Sequence, residues 1–245
     1  MGNLIFKERL KNLKDFILDL IFPLECIGCG GEGRYLCASC QAKIELTPQF
    51  YCALCKQSSE LGRICPVCQK DTALRAIWVA TDYNNKILQD LIHNLKYNYL
   101  EEISADLALL IAKYLEVSKI FEQFQINKDN TILIPVPLHK KRFLGRGFNQ
   151  SELLANQLSN LLGFKQAKIL QRNKNTQTQI NLKRIERQEN VKDAFTLKGN
   201  FDPNKKIILI DDVVTTGSTL KECAKVLQQA GYKEIYGLVV AQRED

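Results

Sequence analysis

The stretch IILIDDVVTTGST, residues 207–219, decides the fold of this chain. It opens with four aliphatic residues in a row, which is typical of a strand buried on both faces of a parallel sheet. Asp211 and Asp212 follow the apolar run, and a hydroxyl-rich loop around Gly217 leads into a predicted helix over 217–229. A buried strand that passes through a short loop into a helix is the repeating unit of an α/β sheet.

The flanking segments repeat this alternation of strand and helix. Apolar runs predict further strands at 76–81, at 132–137, near 169–170, at 195–197 and at 235–241. Helical spacing of apolar residues predicts helices over 87–95, 101–116 and 149–162. We therefore expect an α/β domain over residues 71–245, built on a doubly wound, mostly parallel sheet.

A cysteine-rich segment precedes this domain, with eight of the nine cysteines arranged as C-x-x-C pairs. Two such pairs complete a closed tetrahedral zinc shell, whereas disulfides need an oxidising compartment and a redox C-x-x-C normally occurs once. We expect a double zinc ribbon over 24–70 with two structural Zn²⁺ ions. Sequential pairing is the simplest arrangement, and interleaved pairing stays open. The predicted ligands are Cys26, Cys29, Cys37, Cys40, Cys52, Cys55, Cys65 and Cys68.

Residues 1–23 carry Phe6, Leu10 and Leu13 at helical spacing and predict an amphipathic helix that ends before Pro23. This stretch lacks the apolar core and cleavage site of a secretory signal and is too short and charged to span a bilayer. We therefore expect a cytoplasmic protein without a transmembrane segment. With 45% hydrophobic residues the chain is not disordered, and its net charge of +7 is compatible with an anionic partner.

The loop after the predicted strand has the chemistry of a phosphate site. Ligands of open α/β sheets bind at the carboxyl ends of strands, and a helix N-terminus offers N–H groups to a phosphate. Gly217 lets the backbone approach a ligand closely. Asp211 and Asp212 would repel a phosphate and suit sugar hydroxyls or Mg²⁺ instead, so the pattern indicates a phosphorylated sugar. The alternative, a strand end and a helix cap without a ligand, leaves the two adjacent acids unexplained.

The segment resembles the 5-phosphoribosyl-1-pyrophosphate (PRPP) motif of type I phosphoribosyltransferases, an apolar strand and two acids before T-T-G-S-T. The resemblance implies that the acids contact the ribose hydroxyls and that Thr215 to Thr219 surround the 5′-phosphate. The PRPP-binding candidates in this segment are Asp211, Asp212, Val213, Val214, Thr215, Thr216, Gly217, Ser218 and Thr219.

Further segments resemble signatures of the ComF (ComFC) family: LIHNLKY at 91–97, IPVPLH at 134–139, RGFNQ at 146–150 and TQINL at 178–182. Together with the cysteine-rich segment, the resemblance covers nearly the whole chain. It implies a type I phosphoribosyltransferase-like fold, Mg²⁺ bound with PRPP, and a link to natural competence.

Pyrophosphate is strongly anionic, so its site needs cations and backbone N–H groups. The predicted strand end at Pro137 and Leu138, together with Arg142 and Arg146, supplies such groups. The polar stretch 171–193 predicts a basic loop that closes over PRPP, as the corresponding loop does in transferases of this class. The catalytic candidates are Asp211, Asp212, Arg184 and Arg187.

The expected reaction is displacement of pyrophosphate from PRPP by an acceptor that the sequence does not identify. Two alternatives are a non-catalytic competence factor that binds single-stranded DNA and a PRPP-responsive regulator. The basic residues between 132 and 190 suit DNA and pyrophosphate equally. The expected partners are PRPP, single-stranded DNA, and other competence or DNA-translocation proteins.

Overall fold

The structure is a computed structural model, and it describes residues 24–47, 50–174, 191–199 and 202–243. The chain forms two compact units, which divide between Ile44 and Glu45. The predicted helix over 1–23 and the predicted catalytic arginines, Arg184 and Arg187, fall outside the described residues. Among the described residues, no helix is both long and apolar enough to cross a bilayer.

The first unit is described over residues 24–44 and has little regular structure. It contains the short helix α1 (Ala38–Gln41) and an isolated bridge between Glu25 and Glu32. Backbone hydrogen bonds close its turns, among them Gly30 N–H to the carbonyl of Cys26 at 2.7 Å. Such turns place cysteine side chains close together without a helix or strand to carry them.

The second unit, from Glu45 onward, alternates strands and helices. Its strands are β1 (Leu74–Asp82), β2 (Thr131–Pro135), β3 (Lys165–Gln166), β4 (Leu170–Arg172), β5 (Phe195–Leu197), β6 (Lys206–Val214) and β7 (Ile235–Gln242). Its helices are α2 (Pro66–Gln69), α3 (Lys86–Tyr97), α4 (Ile103–Ser118), α5 (Ile120–Gln123), α6 (Lys140–Arg146), α7 (Gln150–Leu162) and α8 (Ser218–Gln229).

Five strands form a parallel sheet in the order β1-β7-β6-β2-β3, and β4 pairs with β5 in an antiparallel ribbon. The α/β prediction is therefore confirmed. Two differences from the sequence-based expectation lie close to the predicted site. Strand β6 does not end at the acids but runs on to Val214, where it still pairs with Gln242 of β7. Residues 140–146 form α6, a helix for which the sequence shows no apolar period.

Helices cover both faces of the sheet because its strands are apolar on both. Ile207 and Leu209 share a core with Leu220 and Leu227 of α8. The alternate residues of β6 point to the opposite face, where α4 and α7 pack on the sheet and on each other. Asn149 caps α7 by accepting a hydrogen bond from the N–H of Ser151 at 3.1 Å.

Cys52, Cys55, Cys65 and Cys68, which we call the second cysteine tetrad, belong to this unit. Cys52 and Cys65 are buried in the same core as the sheet residues Leu74 and Ile77. The N–H of Ile64 donates to the carbonyl of Arg75 at 2.9 Å, and Trp78 Nε1 donates to the carbonyl of Leu61 at 3.1 Å. The segment is therefore tied to β1 by both packing and hydrogen bonds. The predicted boundaries at 24–70 and 71–245 stay a prediction.

Candidate functional site

A cavity of about 390 Å³ opens at the carboxyl ends of β2 and β6. Helices α3, α6 and α7 supply side chains to its wall. The predicted site residues that line it are Pro137, Leu138, Arg142, Arg146, Asp211, Asp212, Val213 and Thr219. Arg172, which belongs to the predicted basic stretch 171–193, also lines the cavity, from the end of β4. Polar and aromatic lining residues outside the predicted set of site residues are Lys96, Tyr97, Tyr99, Gln150 and Ser151.

The middle of the predicted PRPP loop is a tight, largely buried turn. Val214, Thr216, Gly217 and Ser218 are buried, and Thr215 is half-buried. The hydroxyl oxygens of Thr216 and Ser218 lie 2.7 Å apart. Over the described part of the chain, the cavity lining includes both ends of this loop, Val213 and Thr219, but not residues 214–218.

The space beside Gly217 is occupied by a side chain of this chain. Gly217 has a left-handed φ of 72° at the start of α8, and a Cβ built on it would lie 2.3 Å from Cδ2 of Leu54. Leu54 lies between two cysteines of the second tetrad, so the space beside Gly217 is filled by the zinc-ribbon segment. The neighbouring carbonyl of Ala53 accepts a hydrogen bond from Gln242 Nε2 at 2.7 Å.

Asp211 and Asp212 have separate sets of partners. Lys96, at the end of α3, forms an ion pair with Asp212, and Gln150 Nε2 donates to Asp212 Oδ1 at 3.3 Å. Ser151 Oγ donates to Asp211 Oδ1 at 2.8 Å. Residues from two helices, α3 and α7, thus hold the two carboxyl groups before any ligand arrives. Lys96 belongs to the LIHNLKY segment, but nothing in its local spacing indicated a partner on β6.

These contacts shift the two carboxyl groups in opposite directions. Burial, reinforced by the charge of Asp212, raises the pKa of Asp211 to about 7. Burial also works against ionisation of Asp212, but the Lys96 ammonium outweighs it and lowers the pKa of this carboxyl below its usual range. The pair therefore combines a stable carboxylate with a carboxyl group that changes charge near neutral pH.

Three arginines, Arg142, Arg146 and Arg172, also line the cavity. Burial and the neighbouring Arg146 lower the pKa of Arg142, while burial and Arg142 lower the pKa of Arg172 to about 10. The charge of each guanidinium group thus acts on the next, from Arg146 to Arg142 and from Arg142 to Arg172. Their arrangement suits a ligand with several phosphate oxygens.

The cysteines form two tetrads, each with four sulfur atoms within 4.8 Å of one another. The members pair sequentially: Cys26, Cys29, Cys37 and Cys40 in the first unit, and Cys52, Cys55, Cys65 and Cys68 in the second. The Sγ atoms of Cys29 and Cys37 lie 3.7 Å apart, and those of Cys55 and Cys65 lie 3.4 Å apart. These separations are close to the ~3.8 Å between sulfurs around a tetrahedral Zn²⁺ with 2.3 Å bonds.

The first tetrad also shows the backbone contacts expected of zinc ligands. The N–H of Cys37 donates to Cys26 Sγ at 3.3 Å. Burial works against ionisation of Cys26, but backbone hydrogen bonds from Cys37 and Gly28 outweigh it and lower its pKa to about 6. A thiolate is thus favoured before the metal binds, and both donor sets suit structural Zn²⁺.

Comparison with known proteins supports both the zinc-ribbon segment and the α/β unit. A model of the double zinc ribbon domain matches residues 17–69, and a model of the phosphoribosyl transferase domain matches residues 144–245. The ribbon model spans both tetrads. The transferase model includes β6, the acid pair and the loop at the start of α8.

Full-length relatives match across most of the chain. Competence protein F of Haemophilus influenzae is 36% identical over 225 residues, 87% of this chain and 95% of that protein. DNA utilization protein YhgH of Escherichia coli K12 is 31% identical and covers 80% of this chain and 92% of its own length. Competence protein ComFC of Bacillus subtilis is 27% identical, over 80% of this chain and 79% of that protein. With its double zinc ribbon and its phosphoribosyltransferase-like α/β unit, the chain belongs to the ComF family.

Proposed function

We propose that the chain binds PRPP in the cavity and transfers its phosphoribosyl group to an acceptor. One observation carries the proposal: the carboxyl pair fixed by Lys96 and the three arginines face a single cavity. Carboxyl groups suit the hydroxyls of a sugar, and guanidinium groups suit a diphosphate. PRPP presents both kinds of group on neighbouring atoms of one molecule.

The predicted residues that line the cavity have the following roles in this proposal. Asp211 and Asp212 hold the ribose hydroxyls, and the loop from Val213 to Thr219 receives the 5′-phosphate through its two ends, Val213 and Thr219, which line the cavity. The backbone of Pro137 and Leu138, with Arg142, Arg146 and Arg172, holds the pyrophosphate. Mg²⁺, for which carboxylate oxygens are suitable ligands, would neutralise part of the pyrophosphate charge when bound.

The reaction needs no protein nucleophile. The acceptor's lone pair forms a bond to C1 of the ribose while the bond from C1 to the pyrophosphate oxygen breaks. Pyrophosphate leaves with the bonding electrons, and the acceptor loses a proton. The chain contributes by holding the ribose and stabilising the leaving anion. We propose that Arg184 and Arg187 cover the site and help to exclude water.

The names of the relatives favour a second function, handling of single-stranded DNA in the cytoplasm, with or without phosphoribosyl transfer. Two relatives are named competence proteins and one a DNA utilization protein. The arginines of the cavity would then bind backbone phosphates instead of pyrophosphate. A regulator that binds PRPP without turnover, and other competence or DNA-translocation proteins as partners, belong to the same proposal.

The test measures PRPP binding by calorimetry and pyrophosphate release with Mg²⁺ and a panel of purine and pyrimidine bases. We expect base-dependent release that Asp211→Asn/Asp212→Asn abolishes. Asp82→Asn is the matched control, because Asp82 is an exposed acid at the end of β1. Thermal unfolding of each variant shows whether it is folded. PRPP binding without release would exclude transfer to any base in the panel and favour the regulator, and absence of PRPP binding would overturn the proposal.

A further inference from the structure

Two tyrosines at the rim of the cavity have no role in the function proposed so far. Tyr97 is the last residue of α3, and Tyr99 follows in the connection to α4. Both line the cavity, yet they are 46% and 57% exposed. We refer to this pair as the tyrosine rim.

The tyrosine rim is held in place by contacts with α6. The Tyr99 hydroxyl donates to the carbonyl of Gly145 at 3.0 Å, and the Arg146 guanidinium carbon lies 5.6 Å from the centre of the Tyr97 ring. Tyr99 has a left-handed φ of 61°. A bulky residue rarely adopts this conformation. The contacts with α6 hold the two rings at the rim of the cavity.

Rings beside a phosphate-binding cavity have a specific use in nucleotide and nucleic-acid recognition. Nucleobases stack on aromatic side chains while neighbouring cations hold the phosphates, and the stacking tolerates any base. Two other exposed aromatic residues, Phe50 and Phe143, are not part of the cavity lining within the described residues. The tyrosine rim thus combines exposed rings with the cations that a nucleotide needs.

We propose that the tyrosine rim is the nucleobase subsite of this cavity and that its ligand is a purine or pyrimidine base. The inference rests on the proposed function, because it places the base next to the ribose and phosphate contacts. The same stacking contact would bind a base from either of two sources. The base is either the free acceptor, which becomes part of a nucleotide, or a base of a DNA single strand whose phosphates contact the arginines.

The test compares two ligands that differ only by the base. Calorimetry gives the affinity for ribose 5-phosphate and for each of the four ribonucleoside 5′-monophosphates. The affinity for a nucleotide divided by the affinity for ribose 5-phosphate gives the contribution of the base. We expect a ratio of about five- to a hundredfold in the wild type, the usual range for stacking on an aromatic ring. Tyr97→Leu/Tyr99→Asn should reduce this ratio to about one while leaving the ribose 5-phosphate affinity within about twofold. Asn is used because it tolerates a left-handed φ.

Two variants separate stacking from structural damage. Tyr97→Phe keeps the ring and should keep the ratio, and Phe50→Leu removes an exposed ring elsewhere and should change nothing. Because each ratio is taken within one variant, a general loss of stability affects both ligands alike. If the double variant keeps the wild-type ratio, the tyrosines do not bind the base of a mononucleotide. The same holds if the wild-type ratio is one for every nucleotide. Either result would overturn the inference unless the experiment with DNA strands, described next, shows a base-dependent effect.

The strand experiment uses a short oligothymidylate and an abasic oligomer of the same length. A preference for the base-containing strand that the double variant loses assigns the subsite to DNA, whereas an effect seen with mononucleotides alone assigns it to the acceptor. Absence of a base-dependent effect in both experiments overturns the inference. If ribose 5-phosphate and PRPP do not bind, the proposed transferase function fails, and the strand experiment alone decides whether the rings bind bases.

Discussion

The two cysteine tetrads have the same ligands and the same paired spacing, yet their surroundings differ. The first lies in a small unit, and over the described residues of that unit, 24–44, Cys29 is exposed and the buried apolar side chains are few. Because these residues bury little apolar surface, we expect zinc binding to supply much of their folding free energy. The second lies in the core of the α/β unit, where Cys52 and Cys65 are buried beside the sheet. We therefore expect zinc to be needed for folding of the first unit, whereas in the second unit the zinc ligands are part of a larger hydrophobic core.

The surroundings of the second tetrad connect it to the candidate site. Leu54 packs against Gly217, and Ala53 accepts a hydrogen bond from Gln242, which pairs with Val214 of β6. Both contacts reach the segment that carries the predicted phosphate loop. The same zinc motif thus has different surroundings in the two units, and the second tetrad helps to position the predicted phosphate loop.

The strongest test of this comparison removes one cysteine pair at a time. Trp78 is the single tryptophan, and it is buried on β1 with its Nε1 bonded to Leu61 of the second ribbon segment. Its fluorescence therefore reports unfolding of the α/β unit. We expect Cys52→Ser/Cys55→Ser to lower the free energy of unfolding by on the order of 5 kcal/mol or more. Cys26→Ser/Cys29→Ser should change it by less than about 1 kcal/mol. Equal losses would show that the tetrads are equivalent.

A smaller effect is expected from the side chain that joins the ribbon to the loop. Leu54→Ala removes most of a side chain that is 8% exposed, and such truncations cost about 2–5 kcal/mol. We also expect weaker PRPP binding, measured by calorimetry, because the loop loses its support. The matched variant is Leu36→Ala in the first unit, where Leu36 is 3% exposed. Leu36→Ala should leave both the Trp78 transition and PRPP affinity unchanged, and a matching loss of affinity would contradict the difference between the tetrads.

The contact between Leu54 and Gly217 can be tested by substituting the glycine. Gly217→Ala combines left-handed strain, about 1 kcal/mol, with a collision against Leu54 that should add about 1–3 kcal/mol. Gly163 has a nearly identical φ of 74° and open space around it, so Gly163→Ala should show the strain alone. Chemical denaturation followed by Trp78 fluorescence gives both values. Leu54→Ala should relieve part of the Gly217→Ala penalty in a double-mutant cycle, and strict additivity would show that the contact is unimportant.

Much of the fold is predictable from local sequence. The continuous apolar runs of β6 and β7 indicated buried parallel strands, and the apolar spacing around Leu88 and Leu91 indicated α3. Helix α6 was missed because KKRFLGR has no apolar face. It is instead bounded by His139, whose Nδ1 accepts from the N–H of Lys141 at 3.2 Å, and by Gly147 with a φ of 84°. Short helices defined by their caps leave little periodic signal.

The site was predictable where one segment carries its chemistry and not where distant segments meet. The acids and the loop residues of 211–219 are adjacent in sequence, so their pattern was visible. The contacts of Lys96 with Asp212 and of Leu54 with Gly217 depend on the order of strands in the sheet. Hydrophobic periodicity describes which face of an element is buried, but it does not identify the partner that covers that face.

The smallest expected effect is the pH dependence of stability caused by Asp211, which lies in the second unit. The pKa of Asp211 is about 7 in the folded chain, against 3.8 when it is fully solvated. Between pH 3.8 and about pH 7, the Asp211 carboxyl group is protonated in the folded state and ionised in the unfolded state. Stability should therefore fall as the pH rises through this window, and the loss should be complete above about pH 7.

The measurement is denaturant unfolding of wild type and Asp211→Asn at pH values from 5 to 8. Asp211 is half-buried, so we expect the wild type to lose on the order of 1–2 kcal/mol relative to the variant across this range. Because other titrating groups are common to both proteins, the difference isolates Asp211. Cys26→Ser/Cys29→Ser should retain the same slope, since the carboxyl pair lies in the other unit. The absence of any difference in slope over this range would mean that Asp211 is already ionised in the folded chain and that Lys96, rather than a proton, compensates its charge.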